Sequence, residues 1–147
     1  MIDVKKETIE DWRELGFFYD YDKEKNLWLL VGSRNGLLNL SKLLKNYASK
    51  MNNNQLGEHE HLFPYSYLTI VTSEKPQITD YGIFGSLSDL LDLADIISEK
   101  LKDSNVGDLI QVGDEYSKDT ETQLFLQVKE EDFDPSSEDK FLWLEKK

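Results

Sequence analysis

Short β-prone runs follow one another across short polar turns in this chain, and only three stretches carry a helical period. Phe17-Phe18-Tyr19-Asp20-Tyr21 and Leu27-Trp28-Leu29-Leu30-Val31 flank the polar turn Asp22-Lys23-Glu24-Lys25-Asn26, which predicts a hairpin. Tyr65 to Thr72 reads as a strand by composition. A turn through Ser73 to Gln77, with Pro76, leads to a shorter run at Tyr81-Gly82-Ile83-Phe84. The last third adds Leu109 to Val112, Thr122 to Val128 and Phe141-Leu142-Trp143-Leu144. In Thr122 to Val128, Leu124, Leu126 and Val128 alternate with Gln123, Phe125 and Gln127, the period of a half-buried strand.

The helical stretches are Thr8 to Leu15, Leu37 to Met51 and the segment after Gly85-Ser86. Thr8 with Asp11 makes a capping pattern for the first, and Gly16 is a natural stop. Leu37, Leu40, Leu44, Tyr47 and Met51 recur at spacings of three and four, which lines one face of the second. Ser86 with Asp89 caps the third. Its inner face reads Leu87, Leu90, Leu91, Ala94, Ile97 and Leu101, and its outer face Ser88, Asp92, Asp95, Glu99 and Lys102. The order is α-β-β-α-β-β-α-β-β-β. Hairpin connections dominate, so the fold expected is a single α+β domain over residues 1–147. It has a mostly antiparallel sheet and about three helices packed mainly on one face. No internal repeat or linker divides the chain.

Composition narrows the functions. The 147 residues suit one core, and 39% apolar and 12% aromatic residues argue against disorder. The chain has no cysteine, which excludes disulfides, thiolate zinc sites and a cysteine nucleophile. The opening Met1-Ile2-Asp3-Val4-Lys5-Lys6-Glu7 lacks the apolar stretch of a signal peptide, and no run reaches the ~20 residues of a membrane span. A cytoplasmic protein without membrane contact is expected. The 29 acidic and 17 basic residues give a net charge of −12. That field repels nucleic acid and speeds encounter with a basic partner, although acidic surfaces also simply keep proteins soluble.

The two histidines lie together in Glu58-His59-Glu60-His61. On extended chain His59 and His61 project to one side, where two imidazoles can share a metal ion if a carboxylate from elsewhere joins them. The same pair also suits a surface position, partner contact or bracing of the following strand. The H-E-x-x-H spacing of helical zinc proteases is absent, as are a Gly-rich phosphate loop, G-x-S-x-G and a Walker lysine. No enzyme activity and no cofactor are expected. Three acidic groups could meet a basic partner: Asp89, Asp92, Asp95 and Glu99; Glu130, Glu131, Asp132 and Asp134; and Asp114, Glu115, Asp119 and Glu121. Such groups are more often just solvated faces. The aromatics at 17–21 must divide between the two faces of their strand, and any exposed there would suit a protein-binding patch.

One longer stretch resembles a known family. Gly57-Glu58-His59-Glu60-His61-Leu62-Phe63-Pro64-Tyr65, then Leu68-Thr69-Ile70, then Ile78-Thr79-Asp80-Tyr81-Gly82-Ile83-Phe84-Gly85-Ser86-Leu87 with Asp89-Leu90, resembles a segment of small bacterial immunity proteins. These neutralise the toxin domains of polymorphic and contact-dependent toxin systems. The specific part is the order E-H-x-H, Pro-Tyr, I-T-D-x-x-I-x-G-x-x-x-D-L. The resemblance implies a cytoplasmic antitoxin that binds a cognate toxin domain and blocks its active site or its access to substrate. Many such toxins are nucleases with basic clefts, which an acidic inhibitor can occupy as a phosphate mimic. The resemblance assigns no toxin-contacting residue. The alternative is a metal-binding protein or metal-dependent enzyme centred on His59 and His61.

Overall fold

Asp3, rather than Thr8, opens the first helix, α1 (Val4–Leu15). Its carboxylate accepts from Lys6 N at 3.1 Å, while the Thr8 hydroxyl donates back to the Val4 carbonyl at 2.9 Å. Gly16 closes the helix at φ 92° with its N–H on Trp12 O, the left-handed stop that the sequence predicts. The computed structural model describes residues 3–118 and 121–143. The predicted hairpin follows as β1 (Phe17–Asp22) and β2 (Leu27–Ser33), antiparallel. Ser33 then caps α2 (Arg34–Ala48) through Gly36 N. This helix stops short of Met51, which is 79% exposed in a 3-10 turn. The Asn53 side chain donates to Tyr47 O at 2.8 Å and so satisfies a carbonyl that a longer helix would have used.

The strands divide into two sheets instead of the one expected. The first has the order β1-β2-β8-β7, with β7 (Leu109–Gln111) and β8 (Gln123–Lys129) joined through a short helix, α4 (Gly113–Tyr116). The second has the order β3-β4-β6-β5, from β3 (His59–His61), β4 (Thr69–Thr72), β5 (Gln77–Thr79) and β6 (Gly82–Gly85). Antiparallel pairs predominate, as expected, but the central pair of each sheet is parallel: β2 with β8 and β4 with β6. Each sheet is thus two antiparallel pairs joined along parallel inner strands. Between the sheets in sequence, α3 (Leu87–Lys102) carries the predicted capping box, with Asp89 N on Ser86 Oγ and Ser86 N on Asp89 Oδ2, both at 3.0 Å.

Two strand assignments need correction. Of Tyr65 to Thr72, only Thr69–Thr72 is strand. Residues 62–68 form a loop with a cis Phe63–Pro64 bond and Ser66 at φ 64°. Phe141 to Leu144 is not a strand: Lys140–Trp143 is a 3-10 turn, and Leu144 lies outside the described residues. The turn wins because Asp139 takes two backbone donors, Phe141 N on its Oδ1 at 3.0 Å and Leu142 N on its carbonyl at 3.1 Å. Local partners therefore take the groups a ladder would need.

Both sheets feed one core. Leu124, Leu126 and Val128 of β8 are buried, as their alternation predicts, beside Trp28 and Leu30 of β2 and Ile70, Ile78 and Ile83 of the second sheet. Trp28 Nε1 donates to Thr79 O at 2.7 Å and ties the sheets together. Helix α2 packs on β2 and β8, and α3 packs on β6 and on α2. Ser41 Oγ donates to Ala94 O at 2.8 Å across the helix pair. On α3 the buried residues are Leu90, Leu93, Ala94, Ile97 and Leu101, whereas Leu91 is 42% exposed. Leu91 sits about 100° round from Leu90, too far from the stripe that Leu93 completes.

Candidate partner-binding surface

The histidine pair sits on β3, the edge of the second sheet. His59 and His61 are exposed and on one side, with ring centroids 5.1 Å apart. His61 Nδ1 lies 3.0 Å from Thr69 Oγ1 and 3.2 Å from Ser66 O, and His59 Nδ1 lies 3.1 Å from Gly57 O. Among the described residues, no group of three or more His, Asp or Glu stands close enough to hold a metal ion. The geometry thus places His61 as a brace between β3, the 62–68 loop and β4. It also lines a groove of about 600 Å³ with Asp11, Glu14 and Glu60, whose lip is Phe63, 66% exposed.

The acidic groups are redistributed by the fold. Asp89 is half-buried and occupied by its capping box, while Asp92, Asp95 and Glu99 are exposed on the outer face of α3. Glu115 of α4 joins Asp89, Asp92 and Asp95 around a cleft of about 380 Å³, so parts of two predicted groups converge. Two lysines partly neutralise it: Lys100 Nζ is 2.7 Å from Glu115, and Lys45 Nζ is 4.0 Å from Asp95. Tyr116 donates to Phe84 O at 2.6 Å. Burial, and then the charges of Asp89 and Asp92, push its phenol well above the ordinary range. Asp114 and Glu121 are exposed; Asp119 lies outside the described residues.

Glu130, Glu131 and Asp132 are exposed on the loop after β8, but Asp134 serves the fold. It accepts from Arg13 Nη2 at 2.8 Å and from Ser136 N and Oγ at 3.1 and 2.8 Å. The hydrogen bond from Arg13 is the main reason its carboxyl lies below the usual value. A depressed folded-state pKa stabilises the protein above the unfolded value, and this is lost as pH falls through the folded one. The effect is small, because the pair is 59% and 37% exposed at its side chains. Urea midpoints of wild type and Arg13→Ala should therefore differ at neutral pH and converge in acid below about pH 4. A gap that stays constant through that range would mean the pair is not its source.

A third region gathers residues that the spacing of acids does not single out. Tyr19 and Tyr21 of β1 flank Trp28 of β2, with ring centroids 6.2 and 5.2 Å from it. Their polar ends are tied down: Tyr19 Oη donates to Leu62 O at 2.6 Å, Tyr21 Oη to Asn26 Oδ1, and Trp28 Nε1 to Thr79 O. Burial pushes the Tyr19 phenol up to about 12. Around this wall, Asp20, Ser66, Tyr67, Asp80, Tyr81 and Lys23 complete a cleft of about 500 Å³. Tyr67 and Tyr81 are 68% and 53% exposed. The predicted split of the β1 aromatics is present: Phe17 and Tyr19 are buried, Phe18 and Tyr21 only partly. No sequence signal marked Tyr67 and Tyr81, since composition placed both in strands; only the fold sets them in the 62–68 loop and in the turn before β6.

No protein-family model, curated protein or solved structure matches the chain. Among the described residues, no helix is long and apolar enough to cross a membrane.

Proposed function

We propose that this chain is an immunity protein: it binds a cognate toxin domain in the cytoplasm and blocks it by occupying a basic surface. The observation that carries the reading is the display of Phe63, Tyr67 and Tyr81 into solvent among carboxylates, on segments held rigid from behind. Tyr65, between the two exposed aromatics of the loop, is anchored through its hydroxyl to Asp139, and its ring stands edge-on to Trp12 at 5.9 Å. Aromatic anchors that are already ordered lose little entropy on binding, which is what interface hot spots require. The net charge of −12 adds steering toward a basic partner. The resemblance over Gly57 to Leu90 includes the loop, and independently suggests the toxin class of partner.

Co-expression with the toxic domain encoded beside this gene tests the reading. Growth should be restored by this chain and not by unrelated immunity proteins, and the two products should co-purify one to one. Failure of rescue with both proteins soluble would overturn it.

A further inference from the structure

We propose that the cleft lined by the rings of Tyr21, Tyr67 and Tyr81, over a buried floor of Tyr19 and Trp28, is the seat of one arginine side chain presented by the protein partner. The inference rests on the binding reading above and names its chemistry. Tyr19 and Trp28, 3% and 1% exposed, form a buried floor with their polar atoms committed inward, while the half-buried Tyr21, its hydroxyl held on Asn26 Oδ1, presents its ring from the wall. Tyr67 and Tyr81 stand at the mouth with most of their surface free. A ring-lined cavity of this kind attracts a cation through the negative faces of the rings.

Charge selects the same occupant. Asp20 and Asp80 both line the cleft with one lining cation, Lys23, and the charge of Lys140 reaches Asp20 from outside it. Asp20 is exposed at its rim, yet loss of water around its carboxyl, with a smaller push from Asp22, raises it above the ordinary range. Contact with a cation would relieve that cost. Arginine fits better than lysine because its guanidinium is planar, weakly hydrated and able to stack on a ring while donating in pairs to carboxylates. A volume of about 500 Å³ accommodates the head group together with its stem and flanking backbone. The acidic cleft between α3 and α4 lacks this combination: its one lining aromatic, Tyr116, is buried, and no exposed ring joins it.

The first test uses no toxin. N-acetyl-arginine amide and N-acetyl-citrulline amide, nearly the same shape with and without the charge, are titrated into the full chain by NMR. The arginine compound should give saturable shifts at Tyr67, Tyr81, Asp20 and Asp80. Citrulline should not, and the Asp20→Asn, Asp80→Asn double variant should lose the response. Equal responses to the two compounds, no shifts, or shifts only along α3 would overturn the proposal. The second test is affinity for the rescued toxin domain, with folding of each variant checked by circular dichroism. Tyr67→Ala and Tyr81→Ala, both at exposed positions, should each weaken binding by about 30-fold. Unchanged affinity of both would sink the arginine seat while leaving the immunity reading intact. A positive first test without growth rescue would do the reverse.

Discussion

Replacing Asp139 by alanine should lower the free energy of unfolding by about 3 kcal/mol, read by urea denaturation at neutral pH. Asp139 is 1% exposed, and its partners are donors rather than a cation. Its Oδ2 accepts from Trp12 Nε1 at 2.8 Å and from the Tyr65 hydroxyl, and its Oδ1 accepts from Phe141 N. Alanine would leave these donors without their acceptor. Each buried donor stranded in this way costs about 1–3 kcal/mol, and Trp12 is fully buried with no route to water. Asparagine retains one carbonyl oxygen and should fall between wild type and alanine. Loss of water around the Tyr65 phenol, and then its hydrogen bond to Asp139 and the charge of that carboxylate, hold it above its ordinary range. A loss below about 1 kcal/mol for alanine would show that these donors find water or other acceptors. The substitution has a functional consequence as well: Tyr65 holds the loop that presents Phe63 and Tyr67, so binding should weaken even where folding survives.

The second large effect is expected at Gly82, in the parallel pair at the centre of the second sheet. Its register partner is Thr69. A Cβ added at Gly82 would lie 1.9 Å from Thr69 O and 2.8 Å from Thr69 C and N, on a backbone with φ 153°. Nothing flexible can move aside, because the obstructing atoms are main chain in the neighbouring strand. Gly82→Ala should therefore cost about 3 kcal/mol or more. Gly57→Ala separates sterics from backbone preference. Gly57 has φ 90° and nothing within 4 Å of the added carbon, so only the left-handed conformation is penalised, at about 1 kcal/mol. If the two variants unfold at the same urea concentration, β4 and β6 part more easily than their close approach implies. The Gly82 result also bears on the cleft, since Tyr81 and Asp80 stand in the turn that Gly82 closes.

Much of the local structure was legible from neighbours in sequence. Gly16 as a helix stop, Ser86 with Asp89 as a capping box, and Asn26 at the end of a hairpin turn depend on bonds spanning a few residues. The alternation from Gln123 to Lys129 and the leucine spacing of α2 record a period, and a period states which face is buried. These features yield an α+β chain with its helices and its longer strands nearly in place. They do not state which strand lies beside which, because ladder hydrogen bonds are made by backbone atoms common to every residue. Strands as short as His59–His61 and Gln77–Thr79 are too brief to show any period.

The division into two sheets and the parallel inner pairs were therefore decided by packing between distant segments. So was the buried carboxylate of Asp139, whose bond to Trp12 spans 127 positions. The aromatic cleft follows the same rule: β1, β2, the 62–68 loop and the turn after β5 each contribute a wall or a lip. Acid content announced a negative surface from the sequence alone. Which carboxylates remain free for a partner, and which are spent on Ser86, Arg13, Lys100 or Trp12, depends on contacts that exist only once the chain has closed on itself.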